Sequence, residues 1–193
     1  MFKFWNRCQC EIIKNKLFII KYSVFVNDLF IWAVTKNHYK IVKLLLENKR
    51  IDPTIRSNIA FLGATLNGHF KIIKLLLKDK RVDPSVDNNY AIQLASDIGN
   101  YKIVKLLLKD KRVNLINVKN HAIRWASDSG HYKIIKLLLK DKKVDPSIDN
   151  NFAIKLASTY GHYKIVKLLL KDKRIDKNNP IIKKIIHKLK NLV

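Results

Sequence analysis

A segment of 31 residues that recurs along the chain limits its possible folds more than any other feature. A lysine followed by Ile, Val and Leu residues returns at a constant interval of 31, without insertion, at Lys40, Lys71, Lys102, Lys133 and Lys164. An alanine and an asparagine keep the same register, at Ala33, Ala64, Ala95, Ala126 and Ala157, and at Asn27, Asn58, Asn89, Asn120 and Asn151. An unbroken period of this length is typical of stacked repeats that each form one small supersecondary unit.

Each repeat has the pattern of two helices. In the third copy, Asn89 precedes a short apolar helical pattern, where we expect it to cap the first helix through an orphan amide. Gly99 follows at the expected left-handed end of that helix. The second helix carries a broad apolar stripe opposite its lysines, so we expect Leu106 or Leu107 to be buried. A single helical hairpin cannot cover its apolar faces, whereas stacked neighbours can.

This period predicts the domain organisation. Five repeats should span residues 25–55, 56–86, 87–117, 118–148 and 149–179. Residues 180–193 have an amphipathic pattern and should form a C-terminal capping helix. Residues 1–24 have a poorer pattern and should form an N-terminal cap or a divergent half-repeat.

The repeat resembles the ankyrin repeat. Gly130-His131 followed by an Ile- and Leu-rich helix is similar to that family's second-helix signature, and Arg81-Val82-Asp83 is similar to its loop. The resemblance implies an all-α solenoid of about five helix–turn–helix repeats that binds another protein and is not an enzyme. Ankyrin units usually have 33 residues, so units of 31 should have shortened hairpin tips and almost no strand. The Lys- and Asn-rich form resembles the ankyrin repeat proteins of large DNA viruses.

Composition leaves the role of the basic charge open. Lys and Arg number 39 against 15 Asp and Glu, a formal net charge of +24, and 32 of the 39 are lysine. Either the excess of basic residues reflects the codon usage of an AT-rich genome, or it serves to attract polyanions. Only two cysteines, Cys8 and Cys10, are present, which favours a reducing intracellular compartment, the cytoplasm or nucleus of a host cell for a viral protein. The chain lacks the pattern of a signal peptide, and its most apolar stretch is interrupted by charges, so no membrane span is predicted.

No pattern in the chain predicts catalysis, a metal site or a cofactor. Histidines share one repeat position, but equivalent side chains in neighbouring repeats should lie about 8–10 Å apart, too far to share one zinc ion. We therefore expect a structural role for them at the start of the second helix. Trp32 and Trp125 share a position in the first helix that we assign to the core.

Two surfaces are candidates for binding. The resemblance places partner contacts on the concave side, just after each first helix, at Leu66, Asn67, Asp97, Ile98, Asp128, Ser129, Thr159 and Tyr160. Gln93, Arg124 and Lys155 also vary between repeats, and they lie either on that surface or between repeats. The alternative is a polyanion, nucleic acid or acidic membrane, bound on the convex side by Lys102, Lys105, Lys109, Lys133, Lys136 and Lys140. We expect a monomer.

Overall fold

The computed structural model describes residues 26–47, 51–113, 115–142 and 144–191 of the 193-residue chain. The chain divides into two compact units, the first ending at Val86 and the second beginning at Asp87. The predicted N-terminal cap at residues 1–24 lies outside the described residues. Both units are built from pairs of helices joined by short turns.

The helices alternate between longer and shorter members. Up to Val86 they are α1 (Val26–Thr35), α2 (Tyr39–Leu46), α3 (Ile55–Leu66) and α4 (Phe70–Leu76). From there they are α5 (Val86–Asp97), α6 (Tyr101–Leu107), α7 (Leu115–Asp128), α8 (Tyr132–Leu138), α9 (Ile148–Thr159), α10 (Tyr163–Leu169) and α11 (Pro180–Lys190). Among the described residues there is no strand. The prediction of an all-α helix–turn–helix fold with short tips is confirmed.

The two helices of a repeat occupy different layers. In the first unit, the first helix α1 packs on α3, and the second helix α2 packs on α4. In the second unit, α7 packs on α9 in one layer, while α6 packs on α8 and α8 on α10 in the other. We call the exposed side of the first helices and the residues just after them the first-helix face. The exposed side of the second helices and the residues just after them is the second-helix face.

The second helices follow the predicted amphipathic pattern. In α6, Ile103, Val104 and Leu107 are buried, while Lys102 and Lys105 are exposed on the opposite side. The expectation of burial therefore holds for Leu107, whereas Leu106 is half-buried. Leu106 precedes Leu107 by about 100° of helix rotation, which turns it towards the edge of the apolar stripe.

In the second unit the first helices are packed mainly through alanine and serine beside one isoleucine. In α7, the buried side consists of Ala122, Ile123, Ala126 and Ser127. Trp125 lies next to this side and is 43% exposed, so the assignment of Trp125 to the core is wrong. A stripe of alanines allows close helix packing and leaves no room for an indole beneath it, which explains the outward position. In the first unit, the equivalent Trp32 is half-buried, and its ring centroid lies 4.7 Å from that of His38.

The repeated asparagine does not cap the first helix, contrary to our expectation. Asn58, Asn89 and Asn151 lie at a break near the start of α3, α5 and α9, each the last of three consecutive non-helical residues with φ between 51° and 62°, and the Oδ1 atom of each accepts no hydrogen bond from a described residue. Asn and Asp tolerate this left-handed conformation better than other residues with a side chain. At the equivalent position Asn120 reaches the next repeat, since its Oδ1 atom accepts a 3.1 Å hydrogen bond from the Asp145 amide, 25 residues further on.

The repeated histidine has a structural role. In the second unit, His131 Nε2 donates a 2.6 Å hydrogen bond to the Asp97 carbonyl at the end of α5, and His162 Nε2 donates to the Asp128 carbonyl at 2.8 Å. The ring therefore satisfies a carbonyl that the helix end leaves without a partner. Gly99 has φ +79°, and a Cβ atom there would lie 2.5 Å from His131 Cε1. Gly99 is thus required by its conformation and by the histidine of the next repeat.

Arginines connect successive loops. Arg81 pairs with Asp79 and Arg174 with Asp172, each at 2.6 Å. A guanidinium nitrogen of Arg81 also donates a 2.7 Å hydrogen bond to the Ile51 carbonyl in the preceding loop, and Arg174 bonds the Val144 carbonyl in the same way. The hydrogen bond from the arginine side chain lowers the pKa of the Asp79 and Asp172 carboxyls. These side chains are therefore part of the framework.

Candidate functional site

A groove opens on the first-helix face of the second unit, between α7 and α9. Its volume is about 370 Å³, and its lining consists of His121, Arg124, Trp125, Asp128, Phe152, Leu156 and Tyr160. We call it the aromatic groove. It forms because the buried sides of α7 and α9 carry small residues, which let the helices approach while their larger side chains project to solvent.

The spacing along each helix aligns these side chains. His121, Trp125 and Asp128 lie at i, i+4 and i+7 along α7, so they share one side of the helix. Phe152 and Leu156 lie four residues apart on α9, and Tyr160 follows directly after that helix. Trp125, Phe152 and Tyr160 are 43%, 42% and 59% exposed. Three large aromatic side chains exposed in one groove are typical of an interaction site, whereas a single exposed one is not.

Arg124 is held at the side of the aromatic groove. Its guanidinium group forms a 2.7 Å ion pair with Asp149, and its central carbon lies 6.0 Å from the centroid of the Phe152 ring. The distance to Phe152 is that of a cation–π contact. Asp149 balances the charge of Arg124. The main contribution of Arg124 to the groove is therefore a planar guanidinium group in a fixed position, and not a net positive charge. Asp128 supplies a carboxylate on the same lining.

The predicted partner-contacting residues are only partly brought together. In the second unit, Asp128 and Tyr160 line the aromatic groove, and Thr159 is exposed beside it at the end of α9. Asp97 and Ser129 meet each other, since Ser129 Oγ donates a 2.6 Å hydrogen bond to Asp97 Oδ1.

The other predicted contact residues are dispersed. Ile98 is half-buried just after α5. Leu66 and Asn67 belong to the first unit, where Leu66 is 56% exposed and the Asn67 side chain donates a 2.8 Å hydrogen bond to the Gly63 carbonyl. The side-chain amide of Asn67 is therefore engaged within the fold.

Sequence reasoning missed most of the aromatic groove. The repeat pattern does not indicate His121, Phe152 or Leu156, it predicts a core position for Trp125, and it leaves the location of Arg124 open. The positions of the repeated alanines indicate which side of each first helix is buried. In α7, burial of Ala122 and Ala126 directs residues 121, 125 and 128 to the opposite side of the helix.

The predicted polyanion-binding lysines lie on the second-helix face of the second unit. All six are exposed, and none forms an ion pair with a described residue: Lys102, Lys105, Lys109, Lys133, Lys136 and Lys140. The described arginines differ, since each pairs with an aspartate: Arg56, Arg81, Arg112, Arg124 and Arg174. The uncompensated positive charge of this surface is thus carried by lysine.

The part of the chain that the structure describes offers neither a metal site nor a membrane span. It contains no group of three His, Cys, Asp or Glu side chains that is arranged to hold a metal ion. None of its helices is long and apolar enough to cross a membrane. Cys8 and Cys10 lie outside the described residues.

Comparison with known families agrees with the repeat geometry. A family model described as ankyrin repeats (3 copies) matches residues 30–119, 60–150 and 92–181, which overlap and together cover most of the chain. No individual curated protein matches the chain.

Proposed function

Because the chain belongs to the ankyrin repeat family, whose members are generally scaffolds for protein–protein interaction, we propose that it is a non-enzymatic scaffold that binds another protein through its first-helix face. The resemblance predicts that this face is the concave one. Within it, the aromatic groove is the proposed centre of the binding site. The partner would bury Trp125, Phe152 and Tyr160.

One observation carries this proposal, namely the joint exposure of Trp125, Phe152 and Tyr160 in a single groove. Aromatic side chains each bury about 150–250 Å² when covered, and Trp, Tyr and Arg are the residues most often found at binding hot spots. Arg124, fixed by Asp149 and Phe152, adds a pre-positioned contact. A partner therefore gains apolar contact here without first ordering a flexible side chain.

The charge balance of the aromatic groove predicts how binding responds to salt. Arg124 is neutralised by Asp149, and the remaining charge on the lining is the carboxylate of Asp128. Apolar burial is insensitive to ionic strength, whereas attraction between exposed charges is screened over about 10 Å at 0.1 M salt. A partner in this groove should stay bound as the salt concentration rises.

Affinity capture tests the proposal. The tagged full-length protein and the double variant Trp125→Ala/Tyr160→Ala are used to capture proteins from cell extract at about 0.15 M salt, near physiological ionic strength. A matched control is Tyr132→Ala, which removes an exposed aromatic side chain from the second-helix face. Proteins captured by the wild type and by the control, but not by the groove variant, support the proposal. Equal capture by all three variants contradicts it.

A second candidate function is polyanion binding, favoured by the six exposed and unpaired lysines of the second-helix face. Nucleic acid or an acidic membrane would bind there weakly and without sequence preference. The quadruple variant Lys102→Glu/Lys105→Glu/Lys133→Glu/Lys136→Glu should lose such binding. The affinity of the wild type for duplex DNA should also fall steeply with salt, as counterion release requires. An affinity that does not change with salt excludes this function.

We expect the protein to act inside a cell, and this expectation rests on the sequence alone. Two cysteines in 193 residues suit a reducing compartment. The Lys- and Asn-rich resemblance favours a viral protein acting in the cytoplasm or nucleus of a host cell. Imaging of the tagged protein in cells tests this, and secretion into the medium would contradict it.

A further inference from the structure

A second groove lies among the second helices. It is in the first unit, between α2 and α4, with a volume of about 680 Å³. Its lining combines Tyr39 and Leu75 with four lysines, Lys40, Lys71, Lys74 and Lys78. We call it the basic groove. It shares no residue with the aromatic groove, so it is independent of the partner site proposed there.

The basic groove carries uncompensated positive charge. Lys40, Lys71, Lys74 and Lys78 are exposed, and none of them pairs with a carboxylate among the described residues. Asp79, which follows Lys78 directly, is occupied by Arg81 at 2.6 Å. The four ammonium groups therefore remain available to an external anion.

Apolar surface accompanies this charge. Tyr39 is 40% exposed, and Leu75 on α4 is half-buried, with Lys71 four residues before it and Lys78 just after the end of that helix. The aliphatic stems of the lysines extend the apolar surface, because Lys side chains cover apolar groups while keeping their charge in water. A ligand that supplies negative charge alone would leave Tyr39 and Leu75 exposed. A ligand that supplies both charge and apolar groups would satisfy the whole lining.

We propose that the basic groove binds an acidic amphipathic helix of a partner protein, with the apolar side of that helix against Tyr39 and Leu75 and its carboxylates against the four lysines. An amphipathic helix that places its apolar side in a groove is a recurring mode of peptide recognition, with contacts at i, i+3, i+4 and i+7. A nucleic acid matches the charge but has no apolar stripe, so it is the competing ligand in the test.

Two labelled peptides test the proposal against the full-length chain. One has about 18 residues, five turns of helix, with Leu on one side and Glu on the rest. The other has the same composition in scrambled order, so it keeps the charge and loses the apolar side. At about 0.15 M salt, fluorescence anisotropy should show the amphipathic peptide binding at least about tenfold more tightly than the scrambled one. Burial of a few apolar groups is enough to produce a difference in affinity of this size.

Charge reversal locates the site. Lys71→Glu/Lys74→Glu should weaken binding of the amphipathic peptide by about tenfold or more, because like charges then face each other. The matched control is Lys102→Glu/Lys105→Glu, which reverses the same two repeat positions in the second unit and should change the affinity by less than about threefold. Tyr39→Ser should also weaken binding of the amphipathic peptide and leave binding of the scrambled one unchanged. Thermal melts check that each variant is folded.

Three results would overturn the proposal. The first is equal affinity for the two peptides, and the second is equal weakening by the two charge reversals. The third is a duplex DNA that binds more tightly than the amphipathic peptide and is weakened equally by both reversals. Each would show a general polyanion surface without selectivity for this groove. None of them affects the proposal for the aromatic groove, whose residues are unchanged in these variants.

Discussion

The guanidinium group of Arg124 on α7 lies 6.0 Å from the centre of the Phe152 ring on α9, which links the first helices of two successive repeats at the side of a groove. Asp149 holds the same guanidinium group at 2.7 Å. A long, flexible side chain is thereby fixed next to Trp125 and Tyr160. The site proposed for partner binding is thus partly ordered before any partner arrives.

The first prediction concerns the two sides of a second helix. Leu107→Ala should lower the free energy of unfolding by about 2–5 kcal/mol, because it empties part of a fully buried position. Lys105→Ala, on the exposed side of the same helix, should change it by no more than about 0.5 kcal/mol. Urea denaturation measures both. Equal losses would refute the assignment of the two helix sides.

The second prediction separates two requirements for glycine. Gly130 and Gly161 have φ of +78° and +74°, so alanine is strained at both, by about 1–2 kcal/mol. At Gly130 a new Cβ atom would also lie 2.7 Å from His162 Cε1, whereas at Gly161 the nearest contact is Tyr163 at 3.8 Å. Gly130→Ala should therefore destabilise the protein clearly more than Gly161→Ala in urea titrations. Indistinguishable denaturation midpoints would show that the histidine contact does not restrict this position.

The third prediction is a dependence of stability on acid. The hydrogen bond from Arg174 lowers the pKa of Asp172 from its reference value of 3.8. A carboxyl group whose pKa is lower in the folded state stabilises the fold above the unfolded pKa, and this stabilisation is lost as pH falls through the folded pKa. The free energy of unfolding should thus decrease below about pH 5. Asp172→Asn and Arg174→Met should each make the free energy of unfolding depend less steeply on pH. An unchanged pH dependence in both variants would contradict this account.

The arginine pairs also show what the sequence could not predict. Asp79 and Asp172 are evident as repeated positions, but their bonds to arginines that also reach a preceding loop depend on how repeats stack. The same holds for Asn120 and its bond to Asp145, 25 residues away. Sequence patterns report local helix faces well, whereas contacts between repeats require their relative placement.

Prediction of the candidate site failed for a related reason. Asp128 and Tyr160 were identified because they vary between repeats, and both line the aromatic groove. Trp125 occupies the repeat position that Leu94 and Leu156 fill elsewhere, and this equivalence predicts a core position. The small alanines of α7 already supply the buried side, so the indole is directed outwards. Hydrophobicity alone therefore predicts the wrong side of α7 for Trp125.

The fourth prediction concerns α11, which we propose as the C-terminal cap. Ile182 and Ile185 are buried, and the exposed side of α11 carries Lys183 and Lys184. Terminal repeats need a polar outer side to remain soluble. Deleting residues 180–193 should therefore cause aggregation or loss of the last repeat, observed by size-exclusion chromatography and circular dichroism. As a control, Lys183→Ala/Lys184→Ala should leave both unchanged, and a deletion without effect on either would show that α11 is no cap.

The central claim, that a partner protein covers the aromatic groove, is tested most directly by the fluorescence of Trp125. The variant Trp5→Phe/Trp32→Phe leaves Trp125 as the single tryptophan of the chain. Once a partner is identified by affinity capture, a tryptophan-free fragment of it is added to saturation, and binding is confirmed independently by calorimetry. Burial of the indole predicts a shift of its emission to shorter wavelength and protection from acrylamide quenching. An unchanged emission spectrum and unchanged quenching in the saturated complex would contradict the claim.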